Sequence, residues 1–290
     1  MNSDIILKAD NLYFSYEEEP ETNALQGLNL EIRRGKKVAF MGSNGSGKST
    51  FFLCCNGIHR PDSGTLFLDG KPISYDKKGL LDLRSKVGIV FQDPDNQLFS
   101  ASVCQEISFG PMNLGLPEDQ VRREVEEVID YLEITPFRHK PTHALSGGQK
   151  KQVSIADILV MHPEIIILDE PAAALDPRHT TMVNHIVDRL TTQGITVLMA
   201  THDVDYAYGW ADQVLVFHQG RVLMDGTPEQ VFREADLLKT TNLQKPSVLK
   251  LFDNLQGQGI LPPELKAPRT MAQLEQQLTA SLPAAYRSDR

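Results

Sequence analysis

Between residues 5 and 41 the chain alternates apolar and polar positions in LKADNLYFSY and LQGLNLEIRRG, then abandons the alternation in KVAFM, which is apolar almost throughout. Alternation predicts strands with one solvated face, and an unbroken apolar run predicts a strand buried on both faces. A glycine-rich loop follows, then a helix that starts near Lys48. TLFLDGKPI reads as a hairpin turning at Asp69-Gly70, and VGIVFQ (87–92) as another buried strand. From Asp93 to His162 the period changes to that of helices. In EDQVRREVEEVIDYLEI the apolar residues Val121, Val125, Val128, Ile129 and Leu132 share one stripe, which core packing is enough to explain. EIIILDEP and ITVLMATH return to short apolar strands, and DQVLVFHQGRVLMDGTP closes the pattern as a hairpin around Gln219-Gly220. Beyond Pro228 the sequence predicts a helix or two, a break at Pro262-Pro263, a Gln-rich helix near Met271 to Leu278 and a frayed end. Strand, helix and strand in this order predict an α/β core with a helical insertion over about 93–162.

Composition narrows the class without naming an activity. A chain of 290 residues with 41% hydrophobic and 23% charged residues can bury a sizeable core. No apolar run approaches the roughly 20 residues of a membrane helix, and the start, MNSDIILKAD, is unlike a secretory signal, so the expected location is the cytoplasm. A formal charge of −9 argues against a broad grip on nucleic acid, which needs a clustered basic face. Cys54, Cys55 and Cys104 lack metal-binding spacing and read as reduced core residues.

The chemistry is concentrated at strand ends. GSNGSGKS, Gly42 to Ser49, fits Gly-x-x-x-x-Gly-Lys-Ser between a predicted strand and a predicted helix, the setting of a phosphate-binding P-loop. Its glycines let backbone amides face phosphate oxygens, Lys48 reaches the β and γ phosphates, and Ser49 offers a hydroxyl to Mg²⁺. ILDE places Asp169 and Glu170 at the end of an apolar strand. There Asp169 is suited to the Mg²⁺ shell and Glu170 to polarising an attacking water. Gln92 and His202 end two further strands of the same sheet edge, Gln92 within reach of Mg²⁺ and the water, His202 within reach of the γ-phosphate.

One stretch is left over. In ALSGGQKK, Ser146 is a good helix cap, and with the Gly147 and Gly148 amides it forms a second anion-binding helix start. The P-loop already wraps this chain's own nucleotide, so the simplest geometry gives the second cradle to the γ-phosphate of a neighbouring subunit, two chains enclosing two ATP molecules. LSGGQ between a P-loop and an ILDE strand resembles the signature of ABC ATPases, over residues 5 to about 235. The resemblance implies an α/β fold with a P-loop NTPase (RecA-like) core, an antiparallel β subdomain, an inserted α-helical subdomain and a short helical C-terminal extension. It divides the chain into 1–235 and 236–290. It further implies that Tyr16 stacks on adenine, with Tyr13 and Phe14 as neighbours able to do the same. Gly42, Ser43, Asn44, Gly45, Ser46, Gly47, Lys48, Ser49 and Thr50 become the Walker A segment, and Gln92 the Q-loop. Ser146, Gly147, Gly148 and Gln149 become the signature, Asp169 and Glu170 the Walker B pair, Ala174-Leu175-Asp176 the D-loop, and His202 the switch. ATP and Mg²⁺ are the implied cofactors.

A narrower resemblance covers YDKKGLLDLRSKVGIVFQDPDNQLF, ISFGPMNLGLPEDQV and THDVDYAYGWADQVLVFHQGRVLMDGTPEQVF, with LLKTTNLQKPSVLKLF in the tail. These are similar to the ATPase subunits of energy-coupling-factor transporters, especially the cobalt and nickel group. That implies metal-ion import, cobalt foremost, with nickel or a vitamin as alternatives. The implied partners are a second ATPase subunit, identical or merely related, an energy-coupling transmembrane protein and a substrate-binding membrane protein, met at the cytoplasmic face of the membrane. Leu98, Phe99, Phe109 and Met112 either dock those partners or pack the helical insertion. A nucleic-acid-linked ABC ATPase is the competing class, and the acidic balance, single cassette and lack of heptads oppose it. A generic P-loop kinase or GTPase leaves ALSGGQ and His202 without a job. Gln152, Ala172 and Ala174 depart from the usual Arg, Thr and Gly of the family pattern, and none of them removes a phosphate or metal contact.

Overall fold

The computed structural model describes residues 4–18, 22–173 and 175–281, so Ala174 of the D-loop and the expected frayed end at 282–290 lie outside the described residues. The chain opens with β1 (Ile5–Ser15), β2 (Asn23–Arg33) and β3 (Lys37–Met41), then α1 (Lys48–Cys55), β4 (Ser63–Leu68), β5 (Lys71–Pro72), α2 (Lys77–Lys86) and β6 (Val87–Val90). The helical stretch holds α3 (Val103–Asn113), α4 (Glu118–Tyr131) and α5 (Gly147–Leu159). Next come β7 (Ile165–Asp169), α6 (Pro177–Thr192), β8 (Thr196–Ala200), α7 (Val204–Trp210), β9 (Gln213–His218) and β10 (Arg221–Gly226). Last are α8 (Pro228–Arg233), α9 (Ala235–Thr241), α10 (Ser247–Gly257) and α11 (Met271–Ser281).

Two sheets organise these elements. An antiparallel sheet runs β2-β1-β4-β5, and a larger one runs β10-β9-β3-β8-β7-β6, parallel from β9 to β6 with β10 antiparallel at its edge. The strands with no polar face are explained by where their alternate residues go. Ala39 and Met41 of β3, Ile166 and Leu168 of β7, and Val197 and Met199 of β8 enter one apolar cluster. Val38 and Phe40, Ile165 and Ile167, and Leu198 and Ala200 enter a second on the other face. Period-2 geometry thus feeds two cores from one strand.

The second core fixes α1. Phe51 and Phe52 of α1 meet Phe40 of β3 with ring centroids 5.8 and 4.8 Å apart, and Phe51 meets Phe217 of β9 at 6.0 Å. Such pairs contribute about 0.5–1.5 kcal/mol each beyond their burial, so the start of α1 is held firmly against the sheet. Cys54 and Cys55 are buried there, and burial raises both thiols, Cys54 to about 12, while Cys104 is only partly buried. The two hairpins turn where predicted, with Asp69 and Gly70 at φ 51° and 72° and Gln219 and Gly220 at 48° and 73°, the left-handed pairs of a tight β-turn.

The tail is richer than its sequence pattern suggests: three helices precede Pro262 rather than one or two, and α11 follows. The reason lies in the packing, because Phe232, Leu238, Leu249, Phe252 and Leu274 all enter the larger core. Arg269 also reaches back across the sequence, its Nε donating to Tyr208 O (2.5 Å) and its Nη2 to Ala211 O (2.5 Å) and Gly209 O (3.3 Å), so the tail caps the end of α7.

Candidate active site

β3 and β6, β7 and β8 are parallel, so Gly42, Gln92, Asp169 and His202 emerge at one edge of the sheet, where ligands bind in open α/β folds. A cleft of about 730 Å³ lies there, lined by Tyr16, residues 44–50, Gln92 and Glu170 among others. The loop around it needs glycine for stated reasons. Gly42 sits at φ 139° and a Cβ would come 2.3 Å from Phe217 O; Gly47 sits at φ 104° and a Cβ would come 2.8 Å from Ala24 O. Gly47, the cap of α1, has no side chain to offer, and among the described residues no side-chain cap bond closes the start of that helix. Lys48, 5% exposed, curls into the loop and donates to Gly42 O (2.8 Å) and Ser43 O (3.0 Å). Burial lowers its pKa, and the carboxylates of Glu170 and Asp169 pull the other way. An anion entering the cleft would relieve that cost.

The carboxylates are held differently. Burial raises the pKa of Asp169, the last residue of β7, and the nearby Ser49 hydroxyl works against that shift. Glu170 takes a left-handed backbone, φ 46°, with its amide donating to Ala200 O at 3.1 Å. A residue other than glycine in that region costs of order 1–3 kcal/mol, and outside turns such residues cluster at functional sites. The twist suspends the carboxylate between two side chains: Gln92 Nε2 donates to Oε2 (3.2 Å), and His202 Nε2 lies 2.7 Å from Oε1. Tyr16 is anchored by its hydroxyl 2.9 Å from Thr50 Oγ1, with edge contacts to Phe14 and His59.

Ser146 to Gln149 do not line this cleft. Ser146 caps α5, accepting from Gln149 N (3.3 Å) while Gln149 Oε1 accepts from Ser146 N (3.1 Å), a closed capping box. Ser146 and Gly147 are exposed, and Gly148 is buried for a local reason, since a Cβ there would come 1.9 Å from the His179 ring. His179 is oriented by Asp176, which accepts from its amide (3.0 Å) and from Nδ1 (2.7 Å) and stands below the usual carboxylate range because of those bonds. His179 went unnoticed in the sequence, as did Lys151, whose Nζ donates to Phe91 O and Gln92 O at 2.9 Å each. Lys151 is 1% exposed, and burial brings its pKa down to about 8. Neither follows any motif, and no period in the surrounding sequence marks either of them. Gln152 donates to Leu132 O (3.1 Å) and closes the end of α4, a structural use that needs no arginine.

Similarity to known proteins agrees with the geometry. Residues 25–173 match the ABC transporter family. The chain is 43% identical over 259 residues, 89% of its length and 92% of the relative's, to the energy-coupling factor transporter ATP-binding protein EcfA of Methanocaldococcus jannaschii. It is 46% identical over 254 residues, 87% and 88% of the two lengths, to EcfA2 of Clostridium perfringens. Among solved structures it is similar to CbiO1 of Clostridium perfringens, described as part of the ABC transporter complex cbiONQ (45% identity, TM-score 0.72, 88% of this chain and 99% of that one). It is also similar to a cassette solved as a dimer in a post-hydrolysis state with ADP and Pi (27%, TM-score 0.70, 77% and 99%). The chain belongs to the ABC transporter family, as an ATP-binding subunit of the energy-coupling-factor type whose members hydrolyse ATP to power transport. Its fold is the α/β P-loop NTPase fold of ABC cassettes, and no helix among the described residues is long and apolar enough to cross a membrane.

Proposed function

We propose that this ATPase energises import of a transition-metal ion, cobalt foremost, through a membrane complex docked on its helical insertion, with nickel and vitamins as the alternative cargoes. The observation that carries the catalytic half is the suspension of Glu170 between Gln92 and His202 at the mouth of the P-loop cleft. Glu170 accepts the proton of the attacking water, His202 holds that carboxylate and the γ-phosphate in register, and Lys48 with the loop amides at 42–48 draws off negative charge from the triphosphate. Tyr16 supports the adenine. Ser49 and Asp169, which lie together, and Gln92 at the same sheet edge can offer a hydroxyl, a carboxylate and an amide oxygen, an all-oxygen set that would fit Mg²⁺. When bound, Mg²⁺ would neutralise negative charge on the triphosphate.

The exposed capping box at Ser146 suits the γ-phosphate held by a second copy, or by a related ATPase, so each hydrolytic site is assembled from two chains. A similar cassette is a dimer in its ADP and Pi state, which supports this reading. Phe99, Phe109 and Met112 are 65%, 47% and 64% exposed, with the two phenylalanine rings 4.8 Å apart, and support docking of an energy-coupling transmembrane protein and, beside it, a substrate-binding membrane protein. Leu98 instead packs against the core. The work is done at the cytoplasmic face of the membrane by an ATPase unit, 1–235, carrying its inserted helices at 93–162 and its extension at 236–290. Cobalt as cargo is supported by the resemblance to CbiO1 and by the sequence segments shared with the cobalt and nickel group.

Two measurements test the proposal. In Glu170→Gln, ATP should still bind while phosphate release falls about 10²- to 10⁴-fold; a parental rate removes Glu170 as the base. Membrane proteins that co-purify with the chain in mild detergent, reconstituted in vesicles, should take up ⁵⁷Co²⁺ only with ATP. Uptake of a vitamin and not of cobalt would reassign the cargo.

A further inference from the structure

The loop that carries Gln92 is stapled to the signature helix α5 by three side chains. Lys151 Nζ donates to the carbonyls of Phe91 and Gln92, Gln97 Nε2 donates to Ser154 O (2.8 Å), and Lys150 pairs with Asp95 (2.5 Å). Lys150 and Asp95 form a surface pair; Lys151 does not. Its ammonium is buried, it makes no ion pair among the described residues, and its two acceptors are backbone oxygens of the loop itself, one of them on Gln92. A buried ammonium is costly, and a methionine or leucine would fill the same space without that cost, so packing alone is a poor reason for a lysine here. What a tip with several donors can do, and an apolar side chain cannot, is hold two successive carbonyls at once and tie the loop to the helix.

From Lys151 the chain of contacts runs in both directions. Eastward along the loop, Gln92 donates its side-chain amide to Glu170, which in turn faces His202. Along α5, Lys151 stands little more than one turn from Gly147 and Ser146, the cap of that helix. We propose that Lys151 is a positioning residue that makes the signature cap and the Gln92–Glu170 contact a single mechanical unit. This inference rests on the two-chain reading above. On that reading the cap of one chain grips the nucleotide of its neighbour, whereas Glu170 of the same chain serves its own. Lys151 therefore joins two different active sites, so closure of one sets the geometry of the carboxylate in the other.

The consequence is cooperativity carried by a residue that touches neither nucleotide. The parent chain, Lys151→Met and Lys151→Arg are compared for steady-state hydrolysis as a function of ATP and for binding of a fluorescent ATP analogue. Lys151→Met should bind the analogue within about twofold of the parent, lose at least about tenfold in kcat, and drop from a Hill coefficient near 2 toward 1. Lys151→Arg, which keeps donors for both carbonyls, should restore both quantities. If the methionine chain does not fold, Lys151→Gln, which is uncharged and one bond shorter than lysine, is read in the same way. The proposal is overturned if Lys151→Met keeps the parental kcat and Hill coefficient, if its kcat falls only in proportion to its analogue binding, or if the parent itself shows no cooperativity. Light scattering of Glu170→Gln with ATP separates the two layers: failure to pair sinks the two-chain reading, and pairing with an unaltered Lys151→Met sinks the coupling alone.

Discussion

Two glycine-containing helix starts stand in this chain, α1 after Gly47 and α5 after Ser146, and their glycines serve different ends. At the first, Gly42, Gly45 and Gly47 all have positive φ, no side chain among the described residues caps the helix, and a buried lysine fills the loop. At the second, neither Gly147 nor Gly148 has a positive φ, a serine and a glutamine cap the helix reciprocally, and glycine is required at 148 because an imidazole lies on it. The first is an enclosing loop whose donors await a ligand from within. The second is an outward-facing tip whose cap engages the Ser146 and Gln149 amides, stiff enough to present exposed Ser146 and Gly147 to something outside the chain. Sequence similarity between glycine-rich segments therefore says little until the backbone angle and the neighbour of each glycine are known.

The difference can be broken by substitution. Gly47→Ala should be the more damaging, since the added methyl meets a backbone oxygen at a φ that L-residues avoid; a loss of about 1–3 kcal/mol in melting stability and most ATP affinity is expected, with no trimming of a side chain able to restore either. Gly148→Ala meets a movable ring instead. It should weaken ATP-driven pairing and hydrolysis while leaving analogue binding intact. Adding His179→Ala should recover part of the loss, with a coupling energy of about 0.5–3 kcal/mol in a double-mutant cycle. If the double variant is no better than Gly148→Ala alone, the glycine is there for the phosphate and not for the ring.

The helices also differ in what is buried on them. Both helices bury a lysine, but α5 also carries Asp157, whose Oδ1 is buried without a hydrogen-bond partner among the described residues and whose pKa is raised well above normal by burial, with Glu106 adding to the effect. A carboxyl that binds its proton more tightly in the folded chain favours folding at low pH, and that contribution is lost as pH rises above the ordinary carboxylate value of about 4. Asp157→Asn should therefore melt higher than the parent near neutral pH, by about 1 kcal/mol of stability, with the gap closing in acid. An unchanged melting curve at neutral pH would mean that the charge is relieved in some other way.

Much of this was legible in the sequence because it is local. The unbroken apolar strands, the turns at Asp69-Gly70 and Gln219-Gly220, the cap at Ser146 and the convergence of Gln92, Glu170 and His202 on one edge all follow from short windows and the parallel order of strands. What was hidden is long-range. Lys151 meets its carbonyl partners 59 and 60 residues away, and in a window of its own helix it is indistinguishable from a solvated charge. His179 stacks on a glycine 31 positions earlier, after a turn whose path no periodicity encodes. The tail's helices were under-counted because their apolar residues pool into a core built mainly by distant segments, and short pieces such as α8 and α9 carry too few turns to show a period.

The clasp of Arg269 on the carbonyls of Tyr208, Gly209 and Ala211 has a bearing on biosynthesis. His202 stands one residue before the cap of α7, yet the last turn of that helix is completed by a side chain translated about sixty positions later. A nascent chain still tethered at residue 235 would hold every phosphate-binding motif and lack that fastening, so the switch end of the catalytic edge is the part whose order waits for the whole polypeptide to leave the ribosome.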